Sequence, residues 1–406
     1  INKALKSKYN DDAHYVLGNS YIKTGENLLA LENFDRLINN YKRSPLVSKA
    51  LLKKGVIYYN SDENERALAI YKDVVKKFPN TLESKQAVKS ARQIYVDLGR
   101  VDEYAAWVKN LKFVNVSNAE LDNDTYEAGE KQYLQNNHAK SIGNFKKYLR
   151  AFPNGLHVLH ANFYLAQSLF STNKHKETIP YYTYVIDQQT NDFTESALAR
   201  LSLVYLETEN WDAAIPLLLK LEETAELPQN ISFAKSNLMK GYYERENYSK
   251  ASAYAEKVLE NTKLESHIKS DAHVIIARSA IKTDDLSKAR KAYMEVDKYA
   301  SGEIKAEALY YSAYFENLDG SYRVSNQIVQ KIASNYAAYK YWAAKGLLLM
   351  SKNHYNLDDA YQATYILESV IKNFTQVEEV VEEAKKELNL MKKEEAKTNE
   401  SVIPNK

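Results

Sequence analysis

The chain has no cysteine among its 406 residues, which excludes disulfide bridges and thiolate metal sites. A cysteine-free chain tolerates an oxidising or a reducing compartment, so the redox setting stays open. Glycine and proline are scarce, at 11 and 7. Period-two runs bounded by turn clusters are nearly absent, which argues against sheet. No run of about 18 apolar residues occurs, so no membrane-spanning helix and no direct membrane insertion is expected. An excess of one charge is lacking too. The 55 Lys and Arg face 53 Asp and Glu, a formal net charge of +2. A dedicated nucleic-acid binder concentrates basic excess on one face, so no nucleic-acid partner is expected. Ile1 is not an initiator Met, and residues 1–9 read as the tail of a helix that starts earlier.

Hydrophobic residues make up 45% of the chain, enough for a large buried core, and tyrosine is abundant at 33. Apolar residues recur at helical spacing throughout, so the chain reads as almost wholly α. A longer period underlies this spacing. A small residue followed three positions later by an aromatic or apolar one appears at Gly18 with Tyr21 and returns at Gly55 with Tyr58. The aligned series is Gly18, Gly55, Ala91, Gly129, Ala166, Ser202, Met239, Ala277, Ala313 and Gly346, in steps of 37, 36, 38, 37, 36, 37, 38, 36 and 33. About twelve residues after each comes a second small side chain, with a bulkier one four later in most cases. Examples are Ala30/Phe34, Ala67/Tyr71, Ala214/Leu218, Ala251/Ala255 and Ala289/Tyr293. Residues four apart share a helix face, so each pair sets a close contact beside a large knob.

Helix ends fall at matching places. Pro79 and Pro153 close second helices after Phe78 and Phe152, because proline cannot continue them. Capping boxes are expected at Ser117/Glu120, Asp192/Glu195 and Thr262/Glu265. Pro180 and Pro216 hold the same repeat position, placed in the first turn of a second helix. The last repeat departs from the pattern. Gly346 and Ala363 lie farther apart than usual, which implies an insert near Ser351 to Asp359 in the hairpin turn. A charged helix with an apolar stripe (Val377, Val380, Val381, Ala384, Leu388 and Met391) follows, opened by a Thr375/Glu378 box.

The segment Ala67-Leu68-Ala69-Ile70-Tyr71 through Phe78-Pro79, preceded by Gly55 and Tyr58, resembles a tetratricopeptide (TPR) repeat. That repeat has a period of about 34; here the period is longer and the usual first-helix Trp is absent. The looser pattern resembles TPR proteins of bacterial cell envelopes, of the outer-membrane-assembly lipoprotein and Tol-Pal coordinator types. The resemblance implies an all-α, right-handed superhelical solenoid of about ten hairpins over residues 10–375. A C-terminal capping helix at 376–396 and a disordered tail at 397–406 complete the expected layout. It also implies a periplasmic or envelope location, with a cytoplasmic one as the alternative.

In peptide-binding members the groove is lined from fixed first-helix positions. Carried over, repeats one to three present Tyr15, Asn19, Lys23, Lys49, Leu52, Tyr59, Lys85, Arg92 and Tyr95. Repeats four and five present Tyr126, Tyr133, His160, Phe163, Gln167 and Phe170, and repeat nine presents Tyr310 and Tyr314. Each tyrosine has two readings, a filler between helices or a partner contact. The bases Lys23, Lys49, Lys53, Lys85, Lys89 and Arg92 suit an acidic partner segment, or else a solvated surface. The subclass that grips a C-terminal carboxylate matches at Asn19, Lys85 and Lys89 and fails at Tyr15 and Lys53.

No Gly-rich phosphate loop and no serine elbow occurs. His157 and His160 have a spacing that two metal ligands could use, but no third ligand is fixed nearby. Asp122 and Asp124 read as caps favoured by the helix dipole. No metal or cofactor is expected. Three function classes follow. The repeats support a non-catalytic scaffold for a protein or peptide partner. A recruiting solenoid of an enzyme whose catalytic domain lies outside this chain is the second. An RNA reader with helical hairpins is the third, and it requires a near-fixed period and a basic groove.

Overall fold

A computed structural model describes residues 9–261 and 265–400, the last three as backbone only. The expectations placed on residues 1–8, on Thr262 and on residues 401–406 lie outside the described residues. Among the described residues there are 21 α-helices and no strand, and no helix is long and apolar enough to cross a membrane.

The chain forms two compact units, residues 1–197 and 198–406. The first unit holds α1 (Asn10–Thr24), α2 (Asn27–Asn40), α3 (Val47–Asn60), α4 (Asn64–Lys77), α5 (Leu82–Asp97) and α6 (Val101–Val108). It continues with α7 (Asn118–Leu134), α8 (His138–Ala151), α9 (Val158–Ser171) and α10 (His175–Asp187), and the division falls inside α11 (Thr194–Leu206). The second unit holds α12 (Trp211–Thr224), α13 (Pro228–Glu244), α14 (Tyr248–Leu259), α15 (Ser266–Lys282) and α16 (Leu286–Tyr299). It ends with α17 (Gly302–Leu318), α18 (Tyr322–Asn335), α19 (Lys340–Asn356), α20 (Ala360–Asn373) and α21 (Glu378–Glu400). Helices 1 to 20 form ten hairpins in chain order, so the all-α helical solenoid expected from the repeat is the fold. Within each unit, hairpins stack in sequence, each second helix lying against the next first helix, as α4 does on α5 and α18 on α19.

One turn geometry explains the regularity. Each hairpin turn holds a residue in the left-handed region: Gly25, Asp62, Gly99, Asn136, Asn173, Glu209, Glu246, Asp284, Gly320 and Asp358. The amide of the following residue donates to a carbonyl five residues back. Examples are Glu26 to Tyr21 at 2.8 Å, Asn137 to Gln132 at 2.8 Å and Asp359 to His354 at 2.9 Å. This is the Schellman closure, which satisfies carbonyls left open at a helix end. Stopping every first helix the same way sets the angle at which its second helix returns.

The small residues then do what their spacing implies. A Cβ on Gly18 would lie 2.5 Å from the Phe34 ring, one on Gly55 2.7 Å from Tyr71 Cζ and closer still to Cε1, and one on Gly129 2.7 Å from Phe145. The tenth hairpin corrects the alignment. A Cβ on Gly346 would meet Val329 at 3.2 Å, on α18 of the preceding hairpin. The close-contact residue of hairpin ten is Ser351, fully buried, and its turn residue Asp358 follows seven later, as Gly25 follows Gly18. No insert exists: α19 runs helical to Asn356. Gly346 is small because α19 crosses α18 there.

Other expectations shift. Pro180 and Pro216 lie inside α10 and α12, in the second turn, on exposed faces. The Ser117/Glu120 capping box is formed. At the start of α11 the Asn191 amide donates to Thr194 Oγ1 and the Phe193 amide donates to Asn191 Oδ1. The end helix starts at Glu378, after a turn in which the Val377 amide bonds the Phe374 carbonyl, and it runs to Glu400. Its stripe packs as expected, with Val380, Ala384 and Met391 buried against Ala344, Leu348, Ala363 and Leu367. Hairpin three is irregular. Its second helix, α6, spans 8 residues, and Tyr104 and Val108 fill the space that a small residue and a knob fill elsewhere.

Candidate partner-binding face

First helices in the first unit touch one another directly, α1 with α3, α3 with α5, α5 with α7 and α7 with α9. Side chains that project from this row and are not consumed by packing form the candidate face. The structure sorts the eleven sequence-derived residues into three groups.

Tyr95, Tyr126 and Phe163 are core, at 1%, 5% and 8% exposure, and cannot contact a partner. Tyr95 packs its ring on Tyr104 and Trp107 of α6. Tyr126 stacks on His157 at 4.3 Å, and Phe163 stacks on Phe193 at 4.3 Å. In both cases the ring meets the residue that leads into the next first helix, so that repeat position is a seam between hairpins. Leu52 is buried as well.

Tyr15, Asn19, Tyr59, Arg92 and Tyr133 are half-buried and already engaged. Asn19 donates to the Tyr15 carbonyl, and Tyr15 packs its ring on Phe34. Tyr133 lies against Tyr164 with ring centroids 4.6 Å apart. The Tyr59 hydroxyl donates to Asp97 at 2.5 Å, and Lys131 and Gln93 bond the other carboxylate oxygen. Burial pushes the Tyr59 hydroxyl up to about 12, with the Asp97 bond adding to it. Burial alone would raise Asp97, but the bonds from Lys131, Tyr59 and Gln93 outweigh it and hold the carboxyl below its usual range. Arg92 Nε donates to Asp124 at 2.9 and 2.8 Å, and that bond raises its already high pKa. Asp124 is fully buried inside α7, and Asp122 accepts from the Tyr148 hydroxyl at 2.6 Å and the Leu156 amide at 2.8 Å. These aspartates are interior partners and not caps, because α7 starts four residues before Asp122.

Lys23, Lys49 and Lys85 are exposed, as are Lys53 and Lys89. Among the described residues none of the five has an ion pair. Beside them are two apolar side chains that the sequence reading passed over, Val16 at 61% and Val56 at 39% exposure. Val56 holds the repeat position of Asn19 and Arg92, and that register was the signal available.

At five joints that position, one residue after the close-contact residue, makes a polar contact with the next hairpin. Arg92 meets Asp124, and Gln167 donates to Ser196 at 3.4 Å in the first unit. In the second unit Lys240 pairs with Asp271 at 2.9 Å, Arg278 with Glu307 at 2.5 Å and Lys352 with Glu383 at 3.1 Å. Among the described residues, the joints between hairpins one, two and three lack such a contact. There the facing positions hold Asn19 with Lys49, and Val56 with Lys85 beside the exposed, neutral Gln86.

No group of three or more His, Asp or Glu that could hold a metal occurs among the described residues. His157 and His160 pack their rings on Tyr126, and His160 also meets Phe193 edge-on. In the second unit Tyr310, Tyr314 and Trp342 form a half-buried cluster, with Lys345 over the Tyr310 ring.

The tetratricopeptide repeat family model matches residues 12–44 and 49–81, which are the first two hairpins. The chain carries tetratricopeptide repeats there, and the remaining hairpins repeat the same turn and helix order. Such repeats are in general non-catalytic scaffolds for protein contacts. No curated protein matches the chain. Among solved structures it is similar to a tetratricopeptide repeat protein from Parabacteroides merdae, at 15% identity and a TM-score of 0.27, over 66% of this chain and 98% of that one. It is similar to yeast Tom70 at 12% identity and a TM-score of 0.34, over 95% and 96%. It is also similar to pilF of Pseudomonas aeruginosa at 15% identity and a TM-score of 0.26, over 54% and 94%.

Proposed function

We propose that this chain is a non-catalytic adaptor that holds a protein partner on the first-helix face of hairpins one to three. One observation carries the proposal. Lys49, Lys53, Lys85 and Lys89 lie exposed and unpaired beside Val16 and Val56, whereas Arg92 farther along is neutralised by Asp124. Exposed apolar side chains give contact area, and uncompensated charge gives steering and register. The partner-binding set is therefore Lys23, Lys49 and Lys85 from the sequence reading, joined by Lys53, Lys89, Val16 and Val56.

A place in a bacterial envelope assembly, in the periplasm, belongs to the same proposal. Its support is the long-period repeat and its resemblance to the repeats of envelope proteins. Recovery of the parent protein from the cytosol on fractionation rejects that part.

The binding test is capture of partners from the native host by three proteins. These are the unaltered chain, a Val16→Glu/Val56→Glu variant, and a Tyr361→Ala/Leu390→Glu variant on exposed positions of α20 and α21. Loss of partners with the first variant only is expected. Loss with the second variant only places the docking surface at the C-terminal end and rejects the proposal.

A further inference from the structure

We infer that the partner presents an extended acidic segment whose side-chain carboxylates recur at every third residue and supply the contacts missing at the joints of hairpins one to three. The inference rests on the proposed function above and specifies the chemistry of its partner.

At four hairpin joints a base meets a carboxylate of the next first helix: Arg92 with Asp124, Lys240 with Asp271, Arg278 with Glu307, and Lys352 with Glu383. The last is instructive, because α21 is an end helix and still supplies the acid. At the first two joints the facing position holds Lys49 or Lys85, and Asn19 and Val56 opposite them bring no acid. Gln86, exposed beside Lys85, is uncharged and brings none either. Lys53 and Lys89, one turn further along the same helices, are exposed and unpaired too, so four ammonium groups lie there without carboxylates.

Their spacing selects the partner's backbone. Lys49 and Lys53 are one turn apart on α3, as are Lys85 and Lys89 on α5, a rise of about 6 Å. Packed helices lie roughly 8–10 Å apart. A segment crossing from α3 to α5 has to place successive carboxylates at that distance. A polyproline-II strand rises about 3.1 Å per residue and repeats its face every third residue, which gives roughly 9 Å. Intervening small apolar residues then lie toward Val16 and Val56. A chain terminus plays no part, which separates this mode from the grip on a C-terminal carboxylate that Tyr15 and Lys53 disfavour.

The test uses the full chain and C-terminally amidated peptides labelled at the N-terminal amine, fluoresceinyl-GEAVEAVEG-amide and its clustered isomer fluoresceinyl-GAVEEEAVG-amide, read by anisotropy at two salt concentrations. Expected are tighter binding of the spaced peptide, weakening by salt, and about a tenfold loss in a Lys49→Glu/Lys89→Glu variant with an unchanged circular dichroism melt. Equal binding of the two isomers overturns the inference. So does a requirement for a free C-terminal carboxylate, or tighter binding of a DNA oligonucleotide or anionic phosphatidylglycerol vesicles through the same lysines. If neither peptide binds while Val16→Glu/Val56→Glu still abolishes host-partner capture, the acidic segment is wrong and the face remains.

Discussion

Substituting alanine at Gly55 and, separately, at Gly143 isolates the packing contribution of the close-contact position. Both glycines lie inside helices, α3 and α8. In each, alanine gains about 0.8–1.0 kcal/mol of helix propensity. The surroundings differ. A Cβ on Gly143 meets nothing within 4 Å, whereas one on Gly55 comes 2.7 Å from Tyr71 Cζ and closer still to Cε1. Tyr71 is 1% exposed, so its ring cannot swing into solvent. Moving a buried ring to restore ordinary contact is an overpacking cost of about 1–3 kcal/mol. The propensity gain is common to both variants and cancels in their difference. Gly55→Ala is thus expected to be roughly 1–3 kcal/mol less stable than Gly143→Ala, and Gly143→Ala more stable than the unaltered chain. Urea unfolding followed by far-UV circular dichroism gives the global comparison. Hydrogen exchange of α3 and α4 amides gives the local one, which matters because stacked repeats need not unfold in one step. A Tyr71→Leu background should shrink the Gly55→Ala penalty, since neighbouring sites couple. Equal stability of the two alanine variants, or no coupling to Tyr71→Leu, refutes the reasoning.

Breaking the buried Arg92–Asp124 pair by Arg92→Met should destabilise by about 3 kcal/mol, because a carboxylate is left buried alone, whereas Arg66→Met, at an exposed pair with Glu63, should change denaturant stability by less than about 1 kcal/mol. Tyr59 and Tyr104 are pushed up to about 12 from an ordinary 10.0, chiefly by burial. The folded state holds their protons more tightly, so the stability they contribute is complete below pH 10 and is lost as pH rises toward 12. NMR of labelled tyrosine rings should show both ionising above the ordinary 10.0, and ionisation of Tyr59 at that ordinary value contradicts its burial beside Asp97. Lys352 bonds Glu383 and Glu387 of the end helix, so Lys352→Met should speed hydrogen exchange in α21 and leave α1 to α10 unchanged by mass spectrometry. Gly55→Trp should be more disruptive than Gly25→Trp, though Gly25 is not free to change, because its φ of +80° strains any other residue. Comparable melting temperatures contradict that ranking.

The fold was readable because its determinant is short-range and repeated. A glycine at position 18, 55 or 129 with an aromatic sixteen residues later is a contact written within one hairpin. Register failed where two causes for a small residue coincide. Gly346 is small for a crossing with α18, and Ser351, the residue that keeps the period, looked unremarkable among Met350 and Lys352. The turn residues were a stronger signal and went unused, because Glu209 and Glu246 do not announce a left-handed conformation. The site was less readable than the fold. The seam that buries Tyr126 and Phe163 is built by the following hairpin, through His157 and Phe193, while Tyr95 is covered by Tyr104 and Trp107 of its own hairpin's second helix, and one helix's periodicity carries no information about either. The lysines kept their exposure because nothing acidic faces them, a property of two helices taken together.

The left-handed turn residues also make this chain open to stepwise engineering. A residue with a Cβ pays roughly 1–2 kcal/mol to sit there, less for Asn and Asp. Glu209 and Glu246, with φ of 52° and 56°, are exposed at the tips of the sixth and seventh hairpins. Neither Glu209 nor Glu246 lies on the first-helix face of hairpins one to three. Glycine at either place relieves that strain, offset in part by the greater freedom it gives the unfolded chain. Because the energetics of a stacked array are largely those of each repeat and its neighbours, such changes should add with little interference. Thermal tolerance and partner affinity can then be adjusted independently in one molecule.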